Sequence, residues 1–263
     1  MRRREFLALA AAAPSFGRVT TRQTGKVETA FKSPGPKPNG LQATKDGLWI
    51  LDQGDNRAYL VRYEDGKVLR ALETDSKAGS GITFDGEAIW IASTYSREII
   101  RADARTGKTI AKYETPGAGV VKWTNSRLSP LAPAPSTPRP AAGKKGPEQR
   151  QATGAHGMEW RDGRLWIAVP PSQTIYRVNP MGFVVEHKFP SAGDRPHGIG
   201  WEGKWLWCTD SNLNAFFKHD PDTGEVVEKI QLTDKDPLPH GMTIWQGTMW
   251  YCDDVGVVCR LKM

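Results

Sequence analysis

The chain has 263 residues, of which 38% are hydrophobic and 10 are Trp, enough for one large domain with a substantial core. No stretch reaches the about 18 consecutive apolar residues of a membrane-spanning helix, which excludes stable membrane insertion. The net charge of +7 lies in two segments: residues 1–17 hold three Arg against one Glu, and residues 121–155 hold six Lys and Arg against one Glu. The remainder is neutral and gives no indication of nucleic-acid binding.

The first predicted element is an export signal and leader in residues 1–23. Three Arg at positions 2–4 precede an Ala-rich apolar run that ends at Ala13, a pattern typical of a cleavable signal peptide. Arg3-Arg4-Glu5-Phe6-Leu7 resembles the twin-arginine export motif, with an ordinary secretory signal as the alternative. We therefore predict a periplasmic or secreted protein whose folded domain spans residues 24–263.

A Gly and a Trp nine residues apart recur five times along this domain. An apolar residue follows each Gly, and a turn pair such as Asp46-Gly47 or Asp162-Gly163 lies before each Trp. Units of about forty residues with four short strands are typical of β-propeller blades, which stack radially to bury both faces. We predict an all-β, five-bladed propeller of four-stranded antiparallel blades with the repeated Trp between blades. The pairs are Gly40 and Trp49, Gly81 and Trp90, Gly157 and Trp166, Gly198 and Trp207, and Gly241 and Trp250.

Residues 121–155 interrupt the repeat between the second and third units. The step from Gly81 to Gly157 is 76 residues, whereas the other steps are 41 to 43 residues. The extra sequence is rich in Pro, Ala, Lys and Arg and shows no alternation, so it predicts an inserted flexible loop. A degenerate sixth blade is the alternative. The loop is expected at one mouth of the central channel, either as a lid or as a solvated segment.

The fifth unit has only three strands before the chain reaches Met263. Residues 26–32 offer the missing outer strand, whose pairing would close the ring and remove an exposed edge. We predict such a closed ring, in a monomer. Cys252 and Cys259 fall on neighbouring strands of this unit, so a disulfide and burial as small apolar side chains are both open.

The residue before each repeated Gly is expected at one mouth of the central channel. Three imidazoles that converge on one axis can hold a divalent metal ion, Mg, Zn or similar, or serve as general acid and base. We predict a metal site of the three His, with Asn and Ser orienting a small-molecule substrate; a lining that only binds water is the alternative. The five residues are Asn39, Ser80, His156, His197 and His240.

Four carboxylates are candidates to assist this ring. Asp52, Asp210 and Asp253 end the second strands of their units on the same face, and we predict that they contact substrate. Asp at such positions is also a common turn former. Glu159, three residues beyond His156 on an inner strand, is predicted as a catalytic partner of the histidines or as a carboxylate partner for a neighbouring blade.

Two stretches, Pro196-His197-Gly198-Ile199 and Pro239-His240-Gly241-Met242, resemble the repeats of virginiamycin B lyase-like propellers. The resemblance implies a magnesium-dependent elimination that opens the ester ring of streptogramin antibiotics, with His197 and His240 as the catalytic pair. That family has seven blades, and five blades leave a narrower channel. The plant-type glutaminyl cyclases are similar in blade number and length, but they place Gln or Glu before the repeated Gly.

These patterns together predict an exported propeller with a His-lined channel that acts as a metal-dependent lyase or hydrolase on a small molecule. A non-catalytic propeller that binds a ligand or a protein is one alternative. A glutaminyl cyclase-like acyltransferase is the other.

Overall fold

Short strands joined by tight turns follow from the repeat, because a Gly at the first turn of each unit, preceded by Asp in three of the five, lets the chain reverse within a few residues. The computed structural model describes residues 19–121 and 151–263, which form five four-stranded antiparallel blades, one of them extended by a further strand. The predicted all-β fold and five-bladed propeller are confirmed. Among these residues, no helix is long and apolar enough to cross a membrane.

The strands are numbered in chain order. Two precede the first blade: β1 (Thr20–Thr21) and β2 (Glu28–Lys32). Blade one contains β3 (Pro38–Thr44), β4 (Gly47–Asp52), β5 (Arg57–Val61) and β6 (Val68–Glu73). Blade two contains β7 (Gly79–Phe84), β8 (Ala88–Ser93), β9 (Glu98–Asp103) and β10 (Thr109–Glu114).

A short pair, β11 (Gly119–Val120) and β12 (Ala152–Thr153), separates blades two and three. Blade three contains β13 (Gly157–Arg161), β14 (Arg164–Val169), β15 (Thr174–Asn179) and β16 (Val184–Pro190). Blade four contains β17 (Pro196–Glu202), β18 (Trp205–Asp210), β19 (Ala215–His219) and β20 (Val226–Gln231). Blade five contains β21 (Met242–Trp245), β22 (Thr248–Cys252) and β23 (Val257–Lys262), with β2 as its outer strand.

Five of the six apolar clusters in the described core lie between blades, and each of these five contains one repeated Trp. Trp49 of blade one packs with Ile82 and Ile89 of blade two, and Trp250 of blade five packs with Leu41 and Leu48 of blade one. The predicted position of the Trp is thus observed around the whole ring. Because removing a buried Trp side chain costs about 3–5 kcal/mol, these five residues account for much of the attraction between blades.

The repeated Gly is required where neighbouring inner strands approach each other. A Cβ on Gly157 would overlap the carbonyl of His197 in the next blade, and a Cβ on Gly198 would overlap the backbone after Gly241. The Gly198 amide also donates a hydrogen bond of 2.9 Å to the His240 carbonyl across the blade boundary. Backbone contact between blades therefore sets the narrow bore of a five-membered ring.

The ring closes as predicted, because β2 pairs antiparallel with β23, the last strand of the chain. The folded region also begins before the predicted boundary at residue 24. Strand β1 pairs in parallel with β20, and Arg22 lies 2.7 Å from Glu202 and 2.8 Å from Glu228 in ion pairs on blade four. Residues 1–18, which carry the predicted export motif, lie outside the described residues.

Strands β11 and β12 form the base of the insertion between blades two and three, with Gly119 opposite Thr153. This base contacts the short 3-10 helix Pro170–Ser172, which follows the second strand of blade three. The insertion therefore leaves the propeller beside the second-strand loops, as its position in the repeat predicts. Residues 122–150, the greater part of the predicted loop, lie outside the described residues.

The three Cys thiols, at positions 208, 252 and 259, are buried and unpaired in the described part of the chain. Cys252 lies opposite Val258, whereas Cys259 lies opposite Tyr251, so the two Cys side chains project from opposite faces of blade five. Of the two readings left open by the sequence, burial as small apolar side chains is the one observed.

Candidate functional site

Three imidazoles from consecutive blades meet at one mouth of the channel. The ring centroids of His156 and His197 lie 4.6 Å apart and those of His197 and His240 lie 4.8 Å apart, with an interplanar angle of 89° in both pairs. His197 and His240 are each only 1% exposed, and His156 is partly exposed. The equivalent position before each repeated Gly thus brings the three side chains into contact.

His156 and His197 form a hydrogen-bonded pair, with 3.3 Å between His156 Nδ1 and His197 Nε2. The other nitrogen of each ring, His156 Nε2 and His197 Nδ1, is buried without a hydrogen-bond partner among the described residues. A neutral imidazole has one N–H and one lone pair. Whichever ring donates within the pair, the two outer nitrogens therefore present one donor and one acceptor, so the pair can release a proton at one end and take one up at the other.

His240 has the geometry of a general base. Its Nδ1 lies 3.3 Å from the Leu238 carbonyl, which only accepts, so Nδ1 carries the proton and Nε2 has the free lone pair. Nε2 lies 3.8 Å from a carboxylate oxygen of Asp254, which is half exposed at the mouth. A proton taken up at Nε2 would therefore produce an imidazolium that this carboxylate stabilises.

All three imidazoles are neutral at physiological pH. Burial lowers the pKa of His156 to about 3, with a further contribution from the nearby positive charge of Arg195. Burial also lowers the pKa of His197 well below its usual value. The pKa of His240 is lowered by burial as well, but Asp254 and the Leu238 carbonyl oppose the shift. His240 is therefore the member best able to accept a proton.

Arg195 and Asp254 belong to this site, and the sequence analysis missed both. Arg195 directly precedes Pro196, and its charge acts on all three histidines. Lys37, two residues before Asn39, holds the equivalent place in blade one. Arg195 could have been found two residues before His197, and Asp254 two residues beyond the second strand of blade five.

Asn39 and Ser80 complete the ring, but their hydrogen-bonding states differ. Asn39 is buried and its Oδ1 has no hydrogen-bond partner among the described residues, so it is available to a ligand. Ser80 is fully buried, and its hydroxyl oxygen accepts hydrogen bonds of 3.2 Å from Gln53 and 2.8 Å from Thr94. Ser80 thus links blades one and two, and its predicted contact with substrate stays a prediction.

The three Asp residues at the ends of the second strands are bonded to adjacent loops. Asp52 and Asp210 are the last residues of β4 and β18, as predicted, whereas Asp253 directly follows β22. Asp52 accepts the backbone N–H groups of Lys37 and Gly54 at 2.7 and 2.8 Å, and Asp210 accepts that of Arg195 at 3.0 Å. Burial raises the pKa of Asp210 to about 6. Asp253 accepts two N–H groups of its following turn. Each carboxylate fixes the loop that leads to the mouth, which is the turn-forming role, and contact with substrate stays a prediction.

Glu159 lies in a second polar cluster on the inner strands, where its partners come from other blades. Its carboxyl group is hydrogen-bonded with Gln42 of blade one and Thr83 of blade two, and Thr83 donates a short hydrogen bond to Gln42. Burial raises the pKa of Glu159 to about 8. These are the contacts of a carboxylate partner for neighbouring blades, and the predicted catalytic role of Glu159 stays a prediction.

The three histidines do not form a chelating set as they are arranged. His156 Nδ1 and His197 Nε2 face each other, so the remaining nitrogens lie on the far sides of the two rings. In the part of the chain that the structure describes, no group of three His, Cys, Asp or Glu side chains is arranged to hold a metal ion. Imidazole also suits Zn rather than Mg, which prefers oxygen ligands. The metal ion stays a prediction.

Solved structures with the same fold include two of the propeller types that the repeats resemble. The chain is similar to the glutaminyl cyclase of Myxococcus xanthus, with a TM-score of 0.63, 11% identity and coverage of 91% of this chain and 96% of that one. It is also similar to a catalytically inactive virginiamycin B lyase of Staphylococcus aureus, with a TM-score of 0.50, 20% identity and coverage of 88% and 68%. At these sequence identities the similarity shows the fold alone. At the level of the fold, the predicted resemblance to these propellers is confirmed.

No protein-family model and no curated protein matches the sequence. The function is therefore argued from the geometry of the site.

Proposed function

We propose that the mouth is the active site of a lyase that cleaves a carbon–oxygen bond in a small ester by elimination. The observation that carries this proposal is His240, whose Nδ1 faces the Leu238 carbonyl while Nε2 faces the mouth beside Asp254. A base of this kind, a cation and a separate proton relay are the groups that an elimination needs.

The proposed substrate carries a second carbonyl group besides that of the ester. His240 Nε2 removes a proton from the carbon next to this second carbonyl group. The electron pair of that C–H bond forms a carbon–carbon double bond, and the neighbouring C–O bond breaks with its electrons on the departing carboxylate. Arg195 supplies positive charge for the developing anion, and the outer donor of the His156–His197 pair hydrogen-bonds the departing oxygen. Deprotonation of the imidazolium by water restores His240.

Elimination is favoured over hydrolysis through an acyl-enzyme because the site offers no suitable nucleophile among its described residues. The Ser80 hydroxyl is fully buried and accepts two hydrogen bonds, and all three Cys thiols are buried away from solvent. The virginiamycin B lyase with which the chain shares its fold is a precedent for a lyase on this architecture.

A panel of small cyclic esters, followed by mass spectrometry in heavy-oxygen water, tests the proposal. Elimination opens the ring without a change of mass and without uptake of solvent oxygen, whereas hydrolysis adds one labelled water. Incorporation of label into every product would overturn the lyase assignment. Assays after chelation and with added Zn or Mg test the predicted metal ion in the same samples.

A non-catalytic binding propeller and a glutaminyl cyclase-like acyltransferase remain distinct alternatives. The similarity in fold to the Myxococcus xanthus cyclase, which extends over 91% of this chain and 96% of that one, favours the second. Cyclisation of an N-terminal Gln releases ammonia, which a coupled assay detects, and neither elimination nor simple binding does. The scaffold role would be favoured if none of these substrates is turned over. The same holds if a His156→Ala, His197→Ala, His240→Ala variant still binds the partner that the wild-type protein binds.

We further propose that the protein is exported, on the strength of Arg3-Arg4 and the Ala-rich run that follows. An Arg3→Lys, Arg4→Lys variant of the full chain is expected to stay in the cytoplasm if the twin-arginine route is used. Fractionation followed by immunoblotting measures this. Normal export of the variant would point to the ordinary secretory route instead.

A further inference from the structure

A groove of about 450 Å³ lies between blades three and four, on the face opposite the histidines. Strands β13 and β17 run from the mouth to this face, where they end at Arg161 and Glu202. The walls of the groove are formed by Trp166 and Trp201, and its rim carries charged side chains. A volume of this size suits a small organic ligand.

The groove carries an excess of positive charge. Four of its lining side chains are cationic and two are acidic, a net charge of +2. Glu186 is shared by two of the cations, at 2.7 Å from Arg164 and 3.8 Å from Arg177. Asp162 faces Arg161 at 3.3 Å, but its side chain is 89% exposed, so solvent screens the pair. The cations are Arg161, Arg164, Arg177 and Lys204, and the acids are Asp162 and Glu186.

Comparison with blade two indicates what is different about this groove. The fourth residue beyond the repeated Gly of blade two is Asp85, which accepts a hydrogen bond of 2.8 Å from the Trp90 indole N–H. Asp85 also lies 3.5 Å from Arg101, the cross-strand neighbour of Trp90. The carboxylate therefore joins the repeated Trp to the cation beside it.

Blade four has the same arrangement, with Glu202 accepting from Trp207 at 3.0 Å and pairing with Lys218 at 2.9 Å. Blade three retains the Trp and the neighbouring cation, Trp166 and Arg177, which lie opposite each other on β14 and β15. The place of the carboxylate is taken by Arg161. The charge at this position is therefore reversed, and the reversal coincides with the groove.

Arg161 is held in a fixed orientation. Its guanidinium lies 4.3 Å from the centre of the Trp201 ring and donates a short hydrogen bond to the Gly203 carbonyl of blade four. Its Nε donates to Asp162 and its Nη1 to Gly203, so Nη2 is the part of the stacked guanidinium that can meet a planar oxyanion. Arg161 thus bridges the two blades with its charge directed at the groove.

We propose that this groove binds a small dicarboxylate, one carboxylate of which takes the place that Asp85 and Glu202 hold in the flanking blades. That carboxylate would meet Trp166 and Arg177, and the second would meet Arg161 and Lys204. Two negative charges match the net charge of the groove. The binding site is separate from the mouth and does not depend on the chemistry proposed there.

Calorimetric titration of the purified protein with two dicarboxylates, succinate and malate, at low ionic strength, tests this proposal. We expect both to bind, and the uncharged succinamide not to bind. Arg161→Glu returns a carboxylate of the chain to the position, and it is expected to weaken binding at least tenfold. Arg62→Glu is the matched control, because Arg62 is an exposed cation on the same face of blade one and the change of charge is identical.

The melting temperatures of two variants provide a second readout. If the carboxylate of blades two and four is what blade three lacks, Arg161→Glu melts above Arg161→Ala without any ligand. The proposal is overturned if neither anion binds the wild-type protein, or if Arg62→Glu weakens binding as much as Arg161→Glu does. It is also overturned if Arg161→Glu melts at or below Arg161→Ala.

Discussion

Two buried polar clusters lie on the inner strands, and they differ in how completely their atoms are hydrogen-bonded. Glu159, Gln42 and Thr83 leave no buried side-chain atom without a partner in the described residues, whereas the mouth leaves one on each of Asn39, His156 and His197. An unpaired buried polar atom costs about 1–3 kcal/mol. The first cluster therefore stabilises the fold by itself, and the second is arranged for a bound molecule.

The largest expected effect is a loss of activity in a variant of the mouth that a variant of the inner cluster does not show. His240→Asn removes the proposed base and is expected to lower kcat/KM by about 10²–10⁴-fold with the fold retained. Initial rates on the ester found in the substrate panel, with circular dichroism as a control for folding, measure this. Glu159→Gln is the matched comparison and is expected to retain most of the activity. Equal losses in the two variants would remove the distinction between the clusters.

The inner cluster is expected to make stability depend on pH. The folded-state pKa of Glu159, about 8, exceeds its unfolded value, so its contribution is fully present below the unfolded pKa and is lost as pH rises through the folded one. The free energy of unfolding should therefore fall by a few kcal/mol between about pH 4.5 and pH 8. Urea titrations across this range measure the slope, and Glu159→Gln should flatten it. An unchanged slope would contradict a neutral, buried Glu159.

A smaller effect tests the partner of the proposed base. A base must be neutral to act, and burial lowers the pKa of His240, so the acid limb of kcat/KM should lie below the ordinary value for His. Because Asp254 raises that pKa, Asp254→Asn should move the limb to still lower pH and reduce the rate about tenfold. A limb that does not move would exclude Asp254 as a positioning residue for His240.

The smallest effects compare two members of the ring itself. Asn39→Ala should raise KM several-fold with little change in stability, since its Oδ1 has no hydrogen bond to lose among the described residues. Ser80→Ala should lower the free energy of unfolding by about 1–3 kcal/mol, because Gln53 and Thr94 lose their acceptor. Thermal unfolding and Michaelis–Menten kinetics on both variants measure this. A loss of stability in Asn39→Ala together with a raised KM in Ser80→Ala would contradict the comparison.

The fold was predictable because the repeated residues have local and nearest-neighbour causes. Gly157 must be Gly because the His197 backbone of the next blade approaches it. The repeated Trp packs against a neighbouring blade in every unit, as Trp49 does against blade two. Each unit of a propeller contacts mainly its neighbours, so a pattern of about forty residues determines the architecture. The closing pairing of β2 with β23 follows from the same count of strands.

The state of each polar side chain was not predictable in the same way. Glu159 lies in blade three, whereas its partners Gln42 and Thr83 lie in blades one and two, and only the assembled ring brings the three together. Asp52 and Asp210 lie on the face of the mouth, as predicted, but their carboxylates accept hydrogen bonds from backbone N–H groups of adjacent loops. Position in a repeat gives the face on which a residue lies, whereas hydrogen-bonding competition determines whether it is free to act.

The seam between β2 and β23 also has a mechanical consequence. Glu28 lies opposite Arg260 and Lys32 lies opposite Val257, so the chain enters β2 and leaves β23 at the same end of the pair. Tension applied at residues 27 and 263 would load the hydrogen bonds of this pair one after another, in the manner of a zipper. Blade five is therefore the part of the ring that a pulling force would open first.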